Sequence, residues 1–290
     1  MMRHVVQYST GLSSAEVAWR LTAGHGPAAV TLLTADTLRE DDDNWRFGAE
    51  VANRLGAEWI KLTDGRTPLQ LGLDRKMIPS DRRPACSVNL KIRLLNAWCA
   101  ASYDPASTVV YIGYDWSEDT RIARKREFAG PWTHRYPLAD NPPAVPLKHL
   151  FRSRGIEPPR LYRYNFPHAN CGGACVRGGI AQWLLLLDVN RERYLEWEAE
   201  EEHSRAVLRK DYAILSDRSG SGRRPLPLRV LRERREGPPA LFEVAGLNTE
   251  DWGACGCDMP GDPAPEPGTD RPAKAERWNG HGWDIIPWPE

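Results

Sequence analysis

Short apolar runs alternate with longer helix-forming stretches along the first half of the chain. The first run starts at Val5, and further runs are Ala28–Thr34, Ala57–Leu62 and Thr108–Gly113. Runs of this length that are rich in β-branched residues are typical of buried parallel strands. The stretches between them are long enough for crossover helices, and Asn44–Leu55 carries an apolar stripe with helical spacing. The pattern therefore predicts an α/β fold with a parallel sheet and right-handed crossovers.

The second half of the chain has helical rather than strand-like spacing. An apolar helix is predicted over Ile180–Leu187 and a charged amphipathic helix over Arg191–Leu208. We therefore expect an α/β domain over residues 1–150 and a cysteine-containing helical region over residues 151–257 that packs on it. The Pro/Gly-rich tail, residues 258–290, is predicted to be disordered, although its tryptophans could dock on the body or on a partner.

The charge balance and the hydropathy of the chain argue against several classes of protein. The 39 basic and 39 acidic side chains cancel, so no global field favours nucleic acid or an anionic membrane. No apolar run reaches the length of a membrane span, and the first residues lead directly into a strand without a signal peptide. These features predict a cytoplasmic protein that does not act at a membrane, and they leave the oligomeric state, including a homo-oligomer, open.

The small, polar turn between the first strand and the first helix is a candidate anion site. It runs from Ser9 to Ser14 and places backbone N–H groups at a helix start. Helix N-termini with small side chains bind phosphate well, and the hydroxyls add donors. The turn is not a Walker A loop, because no Gly-Lys-Ser/Thr follows. An ordinary strand-to-helix turn with a serine cap is the alternative.

Polar groups also follow the other predicted strands, at the edge where open α/β sheets bind ligands. Asp36 and Thr37 follow the second strand, and Gly113 begins a polar stretch that reaches Arg121. Arginine suits bidentate contacts to phosphate. For the basic run after Arg121, a helix face exposed to solvent is an equally good interpretation.

Six cysteines in a reducing compartment favour metal binding or reactive thiols over disulfides. Cys171 and Cys175 form one glycine-flanked pair, and Cys255 and Cys257 form another. Four thiolates suit tetrahedral zinc or an iron–sulfur cluster, and four unlinked thiols are the alternative. Cys86, at a predicted helix N-terminus, is either a fifth ligand or a reactive thiol. By contrast, Cys99 is expected to be a packed apolar residue.

Six segments in order resemble the phosphoadenosine phosphosulfate (PAPS) reductase family. More narrowly, they resemble its phage-type members within the PP-loop ATP-pyrophosphatase (adenine nucleotide α-hydrolase-like) superfamily. The segments span roughly residues 4 to 257, and they read Ser9-Thr10-Gly11-Leu12-Ser13-Ser14, Ala35-Asp36-Thr37-Leu38-Arg39-Glu40-Asp41, Cys86-Ser87-x-x-Leu90-Lys91, Gly113-Tyr114-Asp115-Trp116, His168-Ala169-Asn170-Cys171-Gly172-Gly173-Ala174-Cys175-Val176 and Cys255-Gly256-Cys257. Two loop positions differ from the usual S-G-G-x-D-S pattern, because Thr10 replaces a glycine and Ser13 replaces the aspartate.

The resemblance implies a Rossmann-like (HUP-type) parallel sheet with helices on both faces and a cysteine-rich helical C-terminal part. It also implies binding of ATP or PAPS with Mg²⁺, and a [4Fe-4S] cluster or Zn²⁺ held by Cys86, Cys171, Cys175, Cys255 and Cys257. The expected catalytic residues are Cys86, Lys91 and Arg121. The residues expected to bind the nucleotide are Tyr8, Ser9, Thr10, Gly11, Leu12, Ser13, Ser14, Asp36, Thr37 and Gly113.

Three functions are compatible with this reading. The first is an ATP pyrophosphatase of the adenylyl-transfer type, with sulfur transfer to a nucleic acid or a small molecule as one outcome. The second is a sulfonucleotide reductase with Cys86 or Cys257 as nucleophile, although the reductase tail motif Glu-Cys-Gly-Leu-His is absent from the sequence. The third is a protein that binds a nucleotide or a partner without turnover, which the altered loop residues Thr10 and Ser13 motivate.

Overall fold

The first strand, β1, is the middle one of five parallel strands and pairs with a parallel strand on each side. The computed structural model describes residues 2–127, 130–219, 222–238, 247–253 and 273–289. Within these ranges seven strands form one sheet in the order β5-β4-β1-β2-β3-β8-β9, and β6 pairs with β7 separately. The strands are β1 Arg3–Gln7, β2 Val30–Asp36, β3 Glu58–Thr63, β4 Thr108–Tyr111, β5 Thr133–Arg135, β6 Leu215–Asp217, β7 Arg224–Leu226, β8 Lys274–Trp278 and β9 Trp283–Ile286.

Helices connect the parallel strands and form the second half of the fold. A π-helical stretch, Ser87–Ile92, leads directly into α4, where the sequence predicted one regular helix. The α-helices are α1 Leu12–His25, α2 Asp42–Leu55, α3 Pro68–Asp74, α4 Arg93–Ser102, α5 Asp119–Glu127, α6 Pro137–Asp140, α7 Leu147–Ser153, α8 Arg160–Arg163, α9 Ile180–Val189, α10 Arg191–Leu208 and α11 Leu228–Glu236. Among the helices so described, none combines the length and apolar character of a bilayer span.

Alternate residues of the parallel strands point to opposite faces of the sheet, and each face has its own core. Val6 of β1 packs in the cluster that contains Phe47 of α2. Its neighbour Val5 packs in a different cluster, with Leu94 and Trp98 of α4. Because side chains alternate along a strand, the buried run of β1 serves both layers. The Rossmann-like α/β sheet covered on both faces, predicted from the sequence, is confirmed.

A third core lies under the helices of the second half. Trp183 of α9 and Trp197 of α10 are fully buried, with ring centroids 5.7 Å apart. Leu71 of α3 and Leu90 of the π-helical stretch join the same cluster. This core therefore takes side chains from both sides of the boundary expected at residue 150.

The prediction of a disordered tail is wrong for residues 273–289. Strand β8 pairs antiparallel with β3, and β9 pairs antiparallel with β8, so both extend the sheet. The rings of Trp278 and Trp283 lie 5.8 and 4.6 Å from that of Trp59. Burial of large aromatic rings outweighs the loop-forming composition of the surrounding sequence. As the sequence allowed, these tryptophans dock on the body.

Candidate functional site

The turn after β1 is folded tightly around its own hydroxyl groups. Ser14 Oγ accepts a hydrogen bond from the N–H of Ser9 (3.2 Å) and donates one to the carbonyl of Gly11 (3.1 Å). Thr10 has φ = 56°, a left-handed conformation that β-branched residues rarely adopt. Thr10 thus holds a backbone shape that the glycine of the usual PP-loop motif would adopt without strain.

The turn sits at the carboxyl edge of the sheet, directly against the end of β4. A Cβ atom on Gly113 would lie 2.8 Å from the backbone N of Ser14 and 3.0 Å from the carbonyl carbon of Ser13. Only glycine lets the two backbones approach so closely. Position 113 therefore requires a residue without a side chain.

A cavity of about 520 Å³ opens at this edge, with the turn as one wall. Tyr8, Ser9, Thr10, Gly11, Ser13, Ser14 and Gly113 all line it. Three cationic side chains contribute to the lining, namely Lys91, Arg121 and Lys125. The backbone N–H groups of the turn and these cations can bind a polyanion of nucleotide size, and Glu40, Asp115 and Glu118 line the same cavity.

Arg121 is fixed at the cavity by two neighbours. It forms an ion pair with Glu118, which lies three residues earlier in the chain. Its guanidinium carbon also lies 4.0 Å from the centroid of the Tyr114 ring, a cation–π contact. These contacts reduce the entropy that the long side chain would lose on binding an anion.

Glu40 links the cavity to the cysteine loop. Its Oε1 atom lies 3.2 Å from Nζ of Lys91, and its Oε2 atom accepts a hydrogen bond of 2.7 Å from the N–H of Cys171. The carboxylate is almost fully buried, with 5% of the side chain exposed. One carboxylate thus positions both a cavity cation and the loop that carries the first cysteine of the pair.

His168 lies between the cavity and the cysteines. Burial, together with the nearby cations Lys91 and Arg121, lowers the pKa of this histidine to about 4. The imidazole is therefore neutral at neutral pH. Its Nδ1 atom is buried and has no hydrogen-bond partner among the described residues.

Three residues predicted to bind the nucleotide lie outside the cavity lining. Leu12 is buried in the first turn of α1. Asp36 uses its Oδ1 atom to accept a 2.7 Å hydrogen bond from the N–H of Leu38, and burial raises the pKa of this carboxyl group. Thr37 lines a second, smaller pocket. A role for these three residues at the nucleotide stays a prediction.

The second pocket brings three of the predicted metal ligands together. Cys86, Cys171 and Cys175 all line it, as do His168 and Lys91 of the larger cavity. The pocket is small, about 30 Å³. A hydrogen bond with Cys175 and burial raise the pKa of the Cys171 thiol well above its usual value. Cys99, by contrast, is packed on α4, as predicted, and burial raises its pKa to about 12.

The other two predicted ligands, Cys255 and Cys257, lie outside the described residues. The segment just before them is placed, because Gly253 forms an antiparallel bridge with Gly178. Asp251 also accepts a hydrogen bond of 2.8 Å from the N–H of Ala181. This segment thus lies beside the chain that follows Cys175. In the described part of the chain no group of three or more His, Cys, Asp or Glu side chains is arranged to hold a metal ion.

Sequence reasoning missed Glu40, Lys125 and His168 as site residues. Lys125 had a usable signal, since it follows Arg121 by four residues and therefore shares its helix face. Glu40 and His168 stand inside segments that carry the family resemblance, but nothing in their local pattern separates them from solvated polar residues.

Comparisons with known proteins find similarity in shape but none in sequence. No protein-family model matches the chain, and no curated protein matches it. Among solved structures, the chain is similar to the NH3-dependent NAD synthetase of Campylobacter jejuni subsp. jejuni, solved in complex with a nitrate ion. The match covers 72% of this chain and 84% of that chain at 16% identity, with a TM-score of 0.34. A TM-score of this size carries no inference about function.

Proposed function

We propose that the protein is a PP-loop enzyme that binds ATP and transfers its adenylyl group to an acceptor, with release of pyrophosphate. The observation that carries the proposal is the cavity between the Ser9–Ser14 turn and the cations Lys91, Arg121 and Lys125. A triphosphate needs both kinds of group, namely N–H donors that reach its oxygens and cations that offset its charge.

The chain's own residues have distinct tasks in this reaction. The turn holds the departing pyrophosphate, while Arg121 and Lys91 stabilise the negative charge that develops on it. Leu33 and Thr34 of β2 line the cavity on the side where the adenine would lie. Neutral His168 also lines the cavity and would offer a ring nitrogen that can accept a proton from the acceptor.

Mg²⁺ does not need a full set of protein ligands at this site. It binds through phosphate oxygens and only one or two carboxylates. Asp115 lines the cavity and is the carboxylate that would hold it, whereas Glu118 is paired with Arg121. When bound, the ion neutralises charge on the phosphate oxygens.

Adenylyl transfer is favoured over sulfonucleotide reduction by the position of Cys86. A reductase needs a thiol that reaches the sulfonucleotide, and Cys86 lines the second pocket but is not among the residues lining the nucleotide cavity. The reductase alternative with Cys257 and the alternative of nucleotide binding without turnover use the same cavity. An assay for pyrophosphate release from ATP and for sulfite release from PAPS separates all three.

Replacing Arg121 by alanine is expected to weaken ATP binding about tenfold or more. A hydrogen bond between charged partners is worth about 1.5–3 kcal/mol. Isothermal titration calorimetry measures the change. Arg126→Ala is the matched control, since Arg126 is on the same helix but is exposed and does not line the cavity. Equal effects of the two changes, or no ATP binding by the unaltered protein, would contradict the assignment of the cavity.

We also propose that Cys86, Cys171 and Cys175 form a metal centre together with Cys255 and Cys257. The shared pocket and the placement of residues 251–253 beside Gly178 support it. Thiolates are soft ligands that suit zinc or an iron–sulfur cluster.

The metal proposal predicts that Cys175→Ser lowers the zinc or iron content of anaerobically purified protein to about half or less. Loss of a thiolate ligand removes a strong metal–sulfur bond. Elemental analysis and the visible absorption spectrum report the change. Cys99→Ala is the control, because Cys99 is buried on α4 away from the pocket. Metal-free protein under anaerobic conditions would end the proposal.

A further inference from the structure

Two surface segments far apart in the sequence form a common basic patch. One is the loop after α3, and the other is the hairpin made by β6 and β7. The patch is defined by seven side chains, Arg75, Lys76, Arg82, Arg83, Arg218, Arg223 and Arg224.

A single carboxylate joins the two segments. Asp81 in the first segment accepts a hydrogen bond of 2.9 Å from Nη2 of Arg218, and it also pairs with Arg223. Its neighbours are held by a backbone bridge, in which the N–H of Arg83 donates to the carbonyl of Ser80 at 3.1 Å. The loop and the hairpin thus present their cations on one connected surface.

The carboxylates in and beside the basic patch already form ion pairs with arginines. Asp81 is shared by Arg218 and Arg223, while Asp217 pairs with Arg234 and Asp74 pairs with Arg66. Of the other five cations, Arg75 is half-buried and donates a hydrogen bond to Oδ1 of Asn89. Lys76, Arg82, Arg83 and Arg224 are exposed and have no ion pair within the described ranges. Because the chain as a whole carries no net charge, the patch is a local excess of positive charge.

We infer that the basic patch binds the phosphodiester backbone of a nucleic acid. Six of its seven cations are arginines, whose planar guanidinium group makes paired hydrogen bonds to phosphate oxygens. No large apolar side chain is exposed in the described residues of the two segments, so the patch lacks the groups that would enter a lipid layer. This surface is separate from the nucleotide cavity, and the inference does not depend on the proposed reaction.

The patch continues into the wall of the second pocket. Arg83 is followed by Pro84, which lines that pocket together with Cys86. A strand bound along the patch would therefore pass close to the buried cysteines. Contacts to the backbone fix the register of a nucleic acid without reading its sequence, so we expect binding with little sequence preference.

Fluorescence anisotropy with labelled oligonucleotides of about 20 nucleotides tests the inference, with single-stranded RNA, single-stranded DNA and duplex DNA as separate arms. Four phosphate contacts predict that affinity falls about 50- to 150-fold when the salt concentration rises from about 50 to 200 mM. Arg82→Glu/Arg83→Glu should weaken binding about tenfold or more at the lower salt concentration. The same change should make the salt dependence shallower by about two ion equivalents.

Lys148→Glu/Arg163→Glu is the matched control, since both residues are exposed cations on α7 and α8 and the change in net charge is the same. Circular dichroism and thermal melting, measured in parallel, report whether each variant is folded. Equal loss in the two double variants, or salt-independent binding, would overturn the inference. Binding to polyglutamate but to none of the nucleic acids would also overturn it and identify the surface as one for an acidic protein.

Discussion

Replacing Gly113 by alanine is expected to weaken ATP binding at least about tenfold and to lower the free energy of unfolding by about 2 kcal/mol. The added Cβ would lie 2.8 Å from the backbone N of Ser14, which is closer than a carbon atom can approach it. Backbone atoms cannot rotate away as a flexible side chain does, so the turn must move. The displaced N–H groups are those that we assign to the phosphates.

Gly24→Ala is the matched control for this experiment. Gly24 lies in the last turn of α1, and a Cβ atom there would meet no atom beyond its own helix turn within 4 Å. Alanine in a helix interior is better than glycine by about 0.5–1 kcal/mol, so this variant should be slightly more stable and bind ATP normally. Calorimetric titration and chemical denaturation measure both quantities. Normal ATP affinity of Gly113→Ala would refute the placement of the phosphates in the turn.

Replacing Glu201 by alanine is expected to destabilise the protein by about 4 kcal/mol at about pH 5. This fully buried carboxyl group on α10 accepts hydrogen bonds from the N–H of Ile214 (2.7 Å) and the N–H of Leu228 (2.6 Å). Its removal would leave two buried N–H groups without partners, at about 1–3 kcal/mol each. Leu228 begins α11, so the side chain ties three elements of the third core together.

The loss of stability caused by Glu201→Ala should become smaller as the pH rises. Burial raises the pKa of Glu201 to about 7, so the folded state binds a proton that the unfolded state has already released. The stabilisation from this group is complete below the ordinary pKa of glutamate and is lost as the pH rises through about 7. The difference between the two proteins should therefore fall by about 3 kcal/mol between about pH 5 and pH 8. Urea denaturation at several pH values, with the exposed Glu196→Ala as control, checks this. A deficit that grows with pH would refute it.

The order of strands β1 to β4 was predictable because apolar runs and helical stripes have different periods, whereas the three-residue strand β5 was not predicted. The positions of the turn after β1, of Gly113 and of Arg121 followed from one rule, that the carboxyl ends of parallel strands meet at one edge. Sequence alone does not show which side chains from other segments complete the cavity. Lys125 shares the face of Arg121, whereas Glu40 and His168 reach the site only through tertiary packing.

The C-terminal hairpin was missed for a different reason. Proline and glycine before and within residues 273–289 resemble a disordered linker, and strands β8 and β9 are short. Their stability comes from pairing with β3 and from rings that pack on Trp59. Pairing between segments separated by some two hundred residues cannot be recognised from the local sequence pattern.

Because β8 is near the end of the described chain and pairs with β3 near its beginning, the sheet is completed last during synthesis on the ribosome. Until that moment β3 presents an unpaired edge, and Trp45 and Trp59 lack the ring of Trp283 that packs against both. Open edges flanked by apolar rings are templates for intermolecular pairing. Polypeptides released before residue 273 is translated should therefore self-associate, and a chaperone that shields this edge would raise the yield of native protein.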